Sequence, residues 1–147
     1  MALTPKFDMR SIDKILKGAT DDLNNSIIRV LRYVGEKAVN EARTNGNYLD
    51  HTANLRNSIG YVIVIDGKVI DQNFTYSSRG AESKDDGLKI GKNLALEIAR
   101  QQKEIALIVV AGMKYALYVE STGKNVLTSA EQMANIQVPS LLNQLRR

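Results

Sequence analysis

Residues 59–74, IGYVIVIDGKVIDQNF, are the stretch that decides the fold. Two runs rich in β-branched residues flank Asp66-Gly67, and an Asp-Gly pair between such runs is a strong signal for a two-residue turn. The stretch therefore predicts a β-hairpin with strands over 59–66 and 68–74.

The sequence before the hairpin predicts a long amphipathic helix over 20–43. Its apolar residues recur at spacings of three and four, which places them in one stripe and favours packing against a sheet. The residues of this stripe are Leu23, Ile27, Val30, Leu31, Val34, Ala38 and Ala42. Thr20 is the expected N-cap, and Gly46 suits the left-handed conformation past a helix end. Because Gly18 interrupts the pattern, we expect a separate short helix over 11–17.

The sequence after the hairpin is first polar and then apolar. Residues 75–91, TYSSRGAESKDDGLKIG, are polar and carry no periodicity, so they predict a long flexible loop. A helix is expected over 93–103. The apolar run over 105–111 predicts a central strand covered on both faces. After a break at Gly112, residues 115–120 are expected to extend the sheet.

The end of the chain predicts one more helix. Thr128 and Glu131 have the spacing of a capping box at its start. Pro139 is expected to end or kink this helix at Val138, because proline lacks the N–H that the helix needs. Apolar residues resume at helical spacing up to Leu145.

Together these elements predict a single α+β domain over 1–147. A long N-terminal helix packs on an antiparallel or mixed sheet of about four strands that includes the β-hairpin, with a middle helix and a C-terminal helix. The length of 147 residues agrees with one domain. Residues 1–8 are expected to form an arm.

Composition argues against several kinds of chemistry. The chain has no cysteine, which excludes disulfides, thiolate zinc sites and cysteine nucleophiles, and His51 is its single histidine. The run GLKIGKN over 87–93 lacks the spacing and the Ser or Thr of a phosphate loop. Glu82, Asp85 and Asp86 lack the spacing of an EF-hand. We therefore expect no catalysis, no cofactor and no metal site.

The charge pattern indicates a mildly basic surface rather than a dedicated nucleic-acid face. The net charge is +4 and the excess is spread along the chain, whereas nucleic-acid domains concentrate Lys and Arg on one face. A weak, salt-sensitive contact with DNA phosphates stays open. No apolar run approaches the ~20 residues of a membrane span, so we expect a cytosolic protein with no membrane partner.

Two short motifs, about fifty-five residues apart, resemble a known family. The first is TANLRNSI, with Thr52, Leu55, Arg56, Ser58 and Ile59 at the matching positions. The second is YALYVE, with Tyr115, Ala116, Tyr118, Val119 and Glu120. The pair, in this order, resembles the small neck proteins of long-tailed bacteriophages, the head–tail joining or tail-completion family. The order of helices and strands agrees over nearly the whole chain.

The resemblance implies a structural protein, carried by a phage or prophage, that acts without catalysis. It implies a homo-oligomeric ring of identical subunits, often six, between the connector on the head side and the tail proteins. Such a protein would occupy the cytoplasm of a bacterial host during assembly and then the virion. Ring closure requires two different faces of each subunit to meet.

Four motif residues are candidates for the assembly interface: Arg56, Tyr115, Tyr118 and Glu120. Glu120 is a candidate partner for Arg56, within the subunit or across to a neighbour. On an extended chain, Tyr115 and Tyr118 would face opposite sides, one towards the core and one towards a partner or solvent.

The predicted loop supplies a second candidate surface. Arg79, Lys84, Lys89 and Lys92 could face a partner or DNA. These residues also support the alternative function, a small basic α+β module that binds nucleic acid.

Overall fold

The computed structural model describes residues 9–47, 53–76 and 86–145. The elements in chain order are α1 (Met9–Thr44), α2 (Asn54–Asn57), β1 (Ile59–Ile65), β2 (Lys68–Asn73), α3 (Gly87–Ala99), β3 (Ala106–Ala111), α4 (Ala116–Ser121) and α5 (Thr128–Gln144). The α+β class is confirmed. The predicted arm over 1–8 lies outside the described residues.

The sheet is antiparallel, and its strand order is β2-β1-β3. The hairpin is confirmed: Asp66 and Gly67 both have positive φ, as a two-residue turn that matches the strand twist requires. The prediction of about four strands is wrong, because the described residues form three. The prediction that residues 105–111 form a central strand is also wrong, since β3 lies at an edge of this sheet.

Helix α1 is continuous, so the predicted break at Gly18 is wrong. A side chain at Gly18 would meet nothing within 4 Å, and one exposed glycine weakens a helix by only about 1 kcal/mol. The second half of the predicted stripe packs as expected, with Leu31, Val34 and Ala38 buried. Leu23 is 50% exposed, because the first half of α1 extends beyond the sheet.

The sheet separates two apolar clusters. On one face, Ile59, Tyr61 and Ile63 of β1 pack with α1 and with Ala130 of α5. On the other face, Val62 and Val64 pack with the small residues of α3. This alternation follows from the period of two along a strand, and it leaves both faces of β1 buried.

Helix α3 begins at Gly87, so the last part of the predicted loop is wrong. Residues 77–85 of that loop lie outside the described part of the chain. Gly87, Gly91, Ala95 and Ala99 follow one another at spacings of four and are all buried. This face of small residues lets α3 approach the main chain closely: a Cβ at Gly91 would lie 2.1 Å from the carbonyl oxygen of Ser58. The glycines are therefore packing residues, which the loop interpretation overlooked.

Helix α5 packs along α1 in the opposite direction. Ala130 near its start belongs to the cluster around Ala38, and Leu142 near its end lines the same groove as Ile27. The helix runs through Pro139 to Gln144, so of the two expected effects, an end or a kink, the end is wrong.

Candidate assembly interface

The two sequence motifs meet in the structure around Ser58. The Ser58 hydroxyl donates to the Leu55 carbonyl at 2.7 Å. The Gly112 N–H, just before the second motif, donates to the Ser58 hydroxyl at 3.0 Å and to the Ser58 carbonyl at 3.2 Å. Leu55 is buried in one cluster with Ala116 and Val126. Much of the first motif thus holds the fold together; its Thr52 lies outside the described residues.

Arg56 and Arg43 together join the end of α1 to α2 and the start of the hairpin. Its guanidinium donates to the carbonyls of Arg43 at 3.3 Å and Gly46 at 3.4 Å. In return, the Arg43 side chain donates to the carbonyls of Arg56 at 3.1 Å and Ile59 at 2.9 Å. A cation at a helix C-terminus meets carbonyls that lack helical partners. These hydrogen bonds of Arg56 therefore act as a clamp within the subunit, which holds α2 against the end of α1.

Glu120 caps α5. Its Oε1 accepts hydrogen bonds from the N–H groups of Leu127 at 3.1 Å and Thr128 at 2.9 Å, and from the Thr128 hydroxyl. The predicted capping box is wrong, because Thr128 is the first residue of the helix and Leu127 occupies the cap position. A carboxylate is a stronger acceptor than a hydroxyl and is favoured at a helix N-terminus.

The environment of Glu120 favours its charged form. Burial works to raise the pKa of this carboxyl group. Hydrogen bonds from Thr128 and from the main chain of residues 126–128 outweigh that effect, so the pKa lies below its ordinary value. Each of these hydrogen bonds comes from the start of α5, which makes Glu120 part of the fold of its own subunit.

The second motif forms a helix, so its prediction as a strand is wrong. Ala116 is buried and Val119 is half-buried against the cluster around Leu55. Residues three apart share one face of a helix, and this pair holds α4 on the body of the protein. The β-branched and aromatic residues had favoured a strand, whereas the spacing of Ala116 and Val119 was the signal for a helix.

Helix α4 presents aromatic and aliphatic side chains to solvent. Leu117 is 79% exposed, Tyr118 is 71% exposed, and Tyr115 at the cap position is 40% exposed. The expectation that one tyrosine would enter the core is wrong. We call Tyr115, Leu117 and Tyr118 the α4 patch. Leu117 was not a candidate from the sequence, because its exposure depends on the helical conformation.

The structure describes only two of the four basic residues that were candidates for a partner- or DNA-facing surface. Arg79 and Lys84 lie outside the described residues. Lys89 is exposed and Lys92 is half-buried, and they lie three residues apart on α3. Within the described ranges, no group of His, Cys, Asp and Glu residues is arranged to hold a metal ion. None of the described helices is long and apolar enough to cross a membrane.

Comparisons of the chain with protein families, with curated proteins and with solved structures give no match.

Proposed function

We propose that this protein is a structural component of a phage or prophage neck or tail that joins head to tail as part of an oligomeric ring. The α4 patch is the observation that carries the proposal. Large apolar side chains gathered at one exposed site mark protein–protein contacts in soluble proteins. The patch belongs to the same motif that resembles the neck proteins.

The contacts beneath the patch support a role in assembly. Ala116 and Leu55 anchor α4 from below, while Glu120 ties its end to α5. The patch is therefore presented on a supported helix, and rigid presentation reduces the entropy lost on binding. We propose that the patch contacts a neighbouring copy in the ring, and that the connector and tail proteins adjoin the assembled ring.

Charge substitutions in the patch test the proposal. We expect Leu117→Asp and Tyr118→Asp to reduce assembly, because burying a charge at an apolar contact is unfavourable. Ile136→Asp is the matched control, since Ile136 on α5 is 72% exposed and lies outside the patch. Light scattering measures assembly, and circular dichroism verifies the fold. Equal assembly of all three variants and the wild type would refute the role of the patch.

The alternative function, a small basic module that binds nucleic acid, draws on different residues. Lys89 and Lys92 lie on one side of α3, and the net charge of the chain is +4. Binding to duplex DNA that weakens steeply with salt, and that Lys89→Glu reduces in the monomer, would favour this function. Salt-independent or undetectable binding would count against it.

A further inference from the structure

The two edges of the sheet are different. At the β2 edge, the Asp71 carboxylate accepts the Gln72 N–H at 2.8 Å and pairs with Arg32. The β1–β2 register also shifts between Ile63 and Val64. Charged side chains and bulges are the means by which proteins protect an edge strand from pairing. The β2 edge is protected in this way.

Among the residues that the structure describes, none protects the β3 edge in this way. Its sequence is ALIVVA. The Gly112 N–H continues the β1–β3 ladder by donating to Ser58, and main-chain groups of an antiparallel strand alternate in direction. The N–H and C=O groups of Leu107, Val109 and Ala111 therefore point away from β1. Among the described residues, the structure gives these groups no hydrogen-bond partner.

A groove runs beside this edge, between β3 and α5. One part has a volume of about 280 Å³ and is lined by Leu107, Val109 and Ala130. The adjoining part, of about 490 Å³, is lined by Leu107, Pro139 and Ile27. Unpaired main-chain groups beside an apolar groove fit an extended segment, which adds a strand and places alternate side chains in the groove.

Residues 1–8 have the pattern of such a segment. In MALTPKFD, Leu3 and Phe7 alternate with Thr4 and Lys6, so an extended conformation would place apolar and polar side chains on opposite faces. Pro5 lacks an N–H, which is tolerated in an edge strand.

The length of α1 decides which copy supplies the segment. Ile27 lines the near end of the groove, and between Met9 and Ile27 the helix rises about 27 Å. Residues 1–8 span at most about 28 Å when fully extended. Reaching back to their own groove would use the whole segment and leave nothing to lie along β3, which is about 20 Å long.

We propose that residues 1–8 of a second copy of this chain occupy the groove and add a fourth strand to the sheet at the β3 edge. This deepens the proposed ring and rests on it, because it names one of the joints between subunits. The joint is heterologous, since the segment of one copy meets the groove of the next, as ring closure requires.

Cross-linking between full-length chains tests the joint directly. The chain has no cysteine, so Leu3→Cys and Asn135→Cys can be made separately, one with a size tag, and mixed under mild oxidation. Asn135 is exposed and lines both parts of the groove. We expect a mixed disulfide dimer. Gln72→Cys on the β2 edge is the control and should give several-fold less. Equal yields, or no mixed dimer, would overturn the proposal.

Charge substitutions separate this proposal from the proposed function. Leu3→Asp should raise the concentration at half-assembly at least about tenfold, while Thr4→Asp on the opposite face should leave it unchanged. If wild type and Leu3→Asp assemble equally, the joint is refuted and self-assembly stands. Cross-linked open oligomers without rings would support the joint and refute the ring. Monomers that do not cross-link would refute both.

Discussion

Substitution of Gly91 tests the packing that the structure assigns to α3. A Cβ at this position would lie 2.1 Å from the Ser58 carbonyl oxygen and 2.8 Å from its carbon. These are main-chain atoms of the junction that also holds Gly112, so the neighbour cannot rotate away. Relief of the overlap requires α3 to move away from the sheet by about 1 Å, which opens the apolar cluster around Ala95.

The expected loss of stability follows from two opposing effects. Overpacking of a close contact destabilises by about 1–3 kcal/mol and sometimes more. Replacement of a helical glycine by alanine stabilises by about 1 kcal/mol. Because the clash involves main-chain atoms, we expect Gly91→Ala to lower the free energy of unfolding by about 2 kcal/mol net. The expected fall in Tm is about 4–8 °C for a domain of this size.

Gly18→Ala is the matched control. It makes the same chemical change within a helix, but its Cβ meets nothing within 4 Å. We expect this variant to be more stable than the wild type by up to about 1 kcal/mol. Urea denaturation followed by circular dichroism measures both variants. If Gly91→Ala is as stable as the wild type, the close packing of α3 on Ser58 is refuted.

Three further predictions concern the contacts around the motifs. Glu120→Gln should destabilise the protein by about 1 kcal/mol at neutral pH through its weakened cap. The pKa of Glu120 in the folded protein lies below 4.5. The wild type should therefore be more stable than Glu120→Gln above pH 4.5, and this difference in the free energy of unfolding should disappear as the pH falls through the folded pKa. A difference that does not change with pH would contradict the prediction. Arg56→Ala and Arg56→Lys should both lower the free energy of unfolding, by about 1–2 kcal/mol, because lysine lacks the planar fork; full rescue by lysine in urea denaturation would count against the clamp. Tyr61→Phe should cost about 1 kcal/mol in the same assay, since the Tyr61 hydroxyl donates to Glu36 at 2.9 Å; an unchanged midpoint would argue against this bond.

The revised place of Glu120 affects how assembly can be probed. As a candidate interface residue, Glu120 would be a natural site for a charge reversal such as Glu120→Lys. Because the carboxylate caps α5, we now expect Glu120→Lys to destabilise the subunit itself. Leu117→Asp and Tyr118→Asp are cleaner probes, since both side chains are mostly exposed.

Local signals predicted the elements that depend on neighbouring residues. The Asp66-Gly67 pair indicates one type of turn, and the apolar stripe from Leu31 to Ala42 has the period of a helix. Few local structures fit either pattern, and both predictions are confirmed. The same reasoning failed at Gly18, where a single glycine was given too much weight against a helix that continues on both sides.

Tertiary contacts determine the elements that the sequence did not predict. The spacing of Gly87 and Gly91 has meaning only when a main chain lies against it, as Asn54 and Ser58 do. Residues 115–120 have strand propensity, yet the site beside Leu55 accepts Ala116 and Val119 at helical spacing. The intrinsic preference of residues for a strand is weak, and tertiary packing can override it.

For a related reason, the sequence named candidate residues for the interface without separating their roles. Sequence alone directed attention to the two motifs, and the structure brings them into contact at Ser58. It could not separate motif residues that support the fold, such as Arg56, from those that are exposed, such as Tyr118. That separation depends on which side chains find partners within the subunit.

The measurement that tests the central claim most directly is the solution mass of the full-length protein, by light scattering over a wide concentration range, with negative-stain images of any large species. We expect a closed ring of identical subunits, about six in number, as the resemblance to the neck proteins implies. A protein that remains a monomer at every concentration and forms no ring would contradict it.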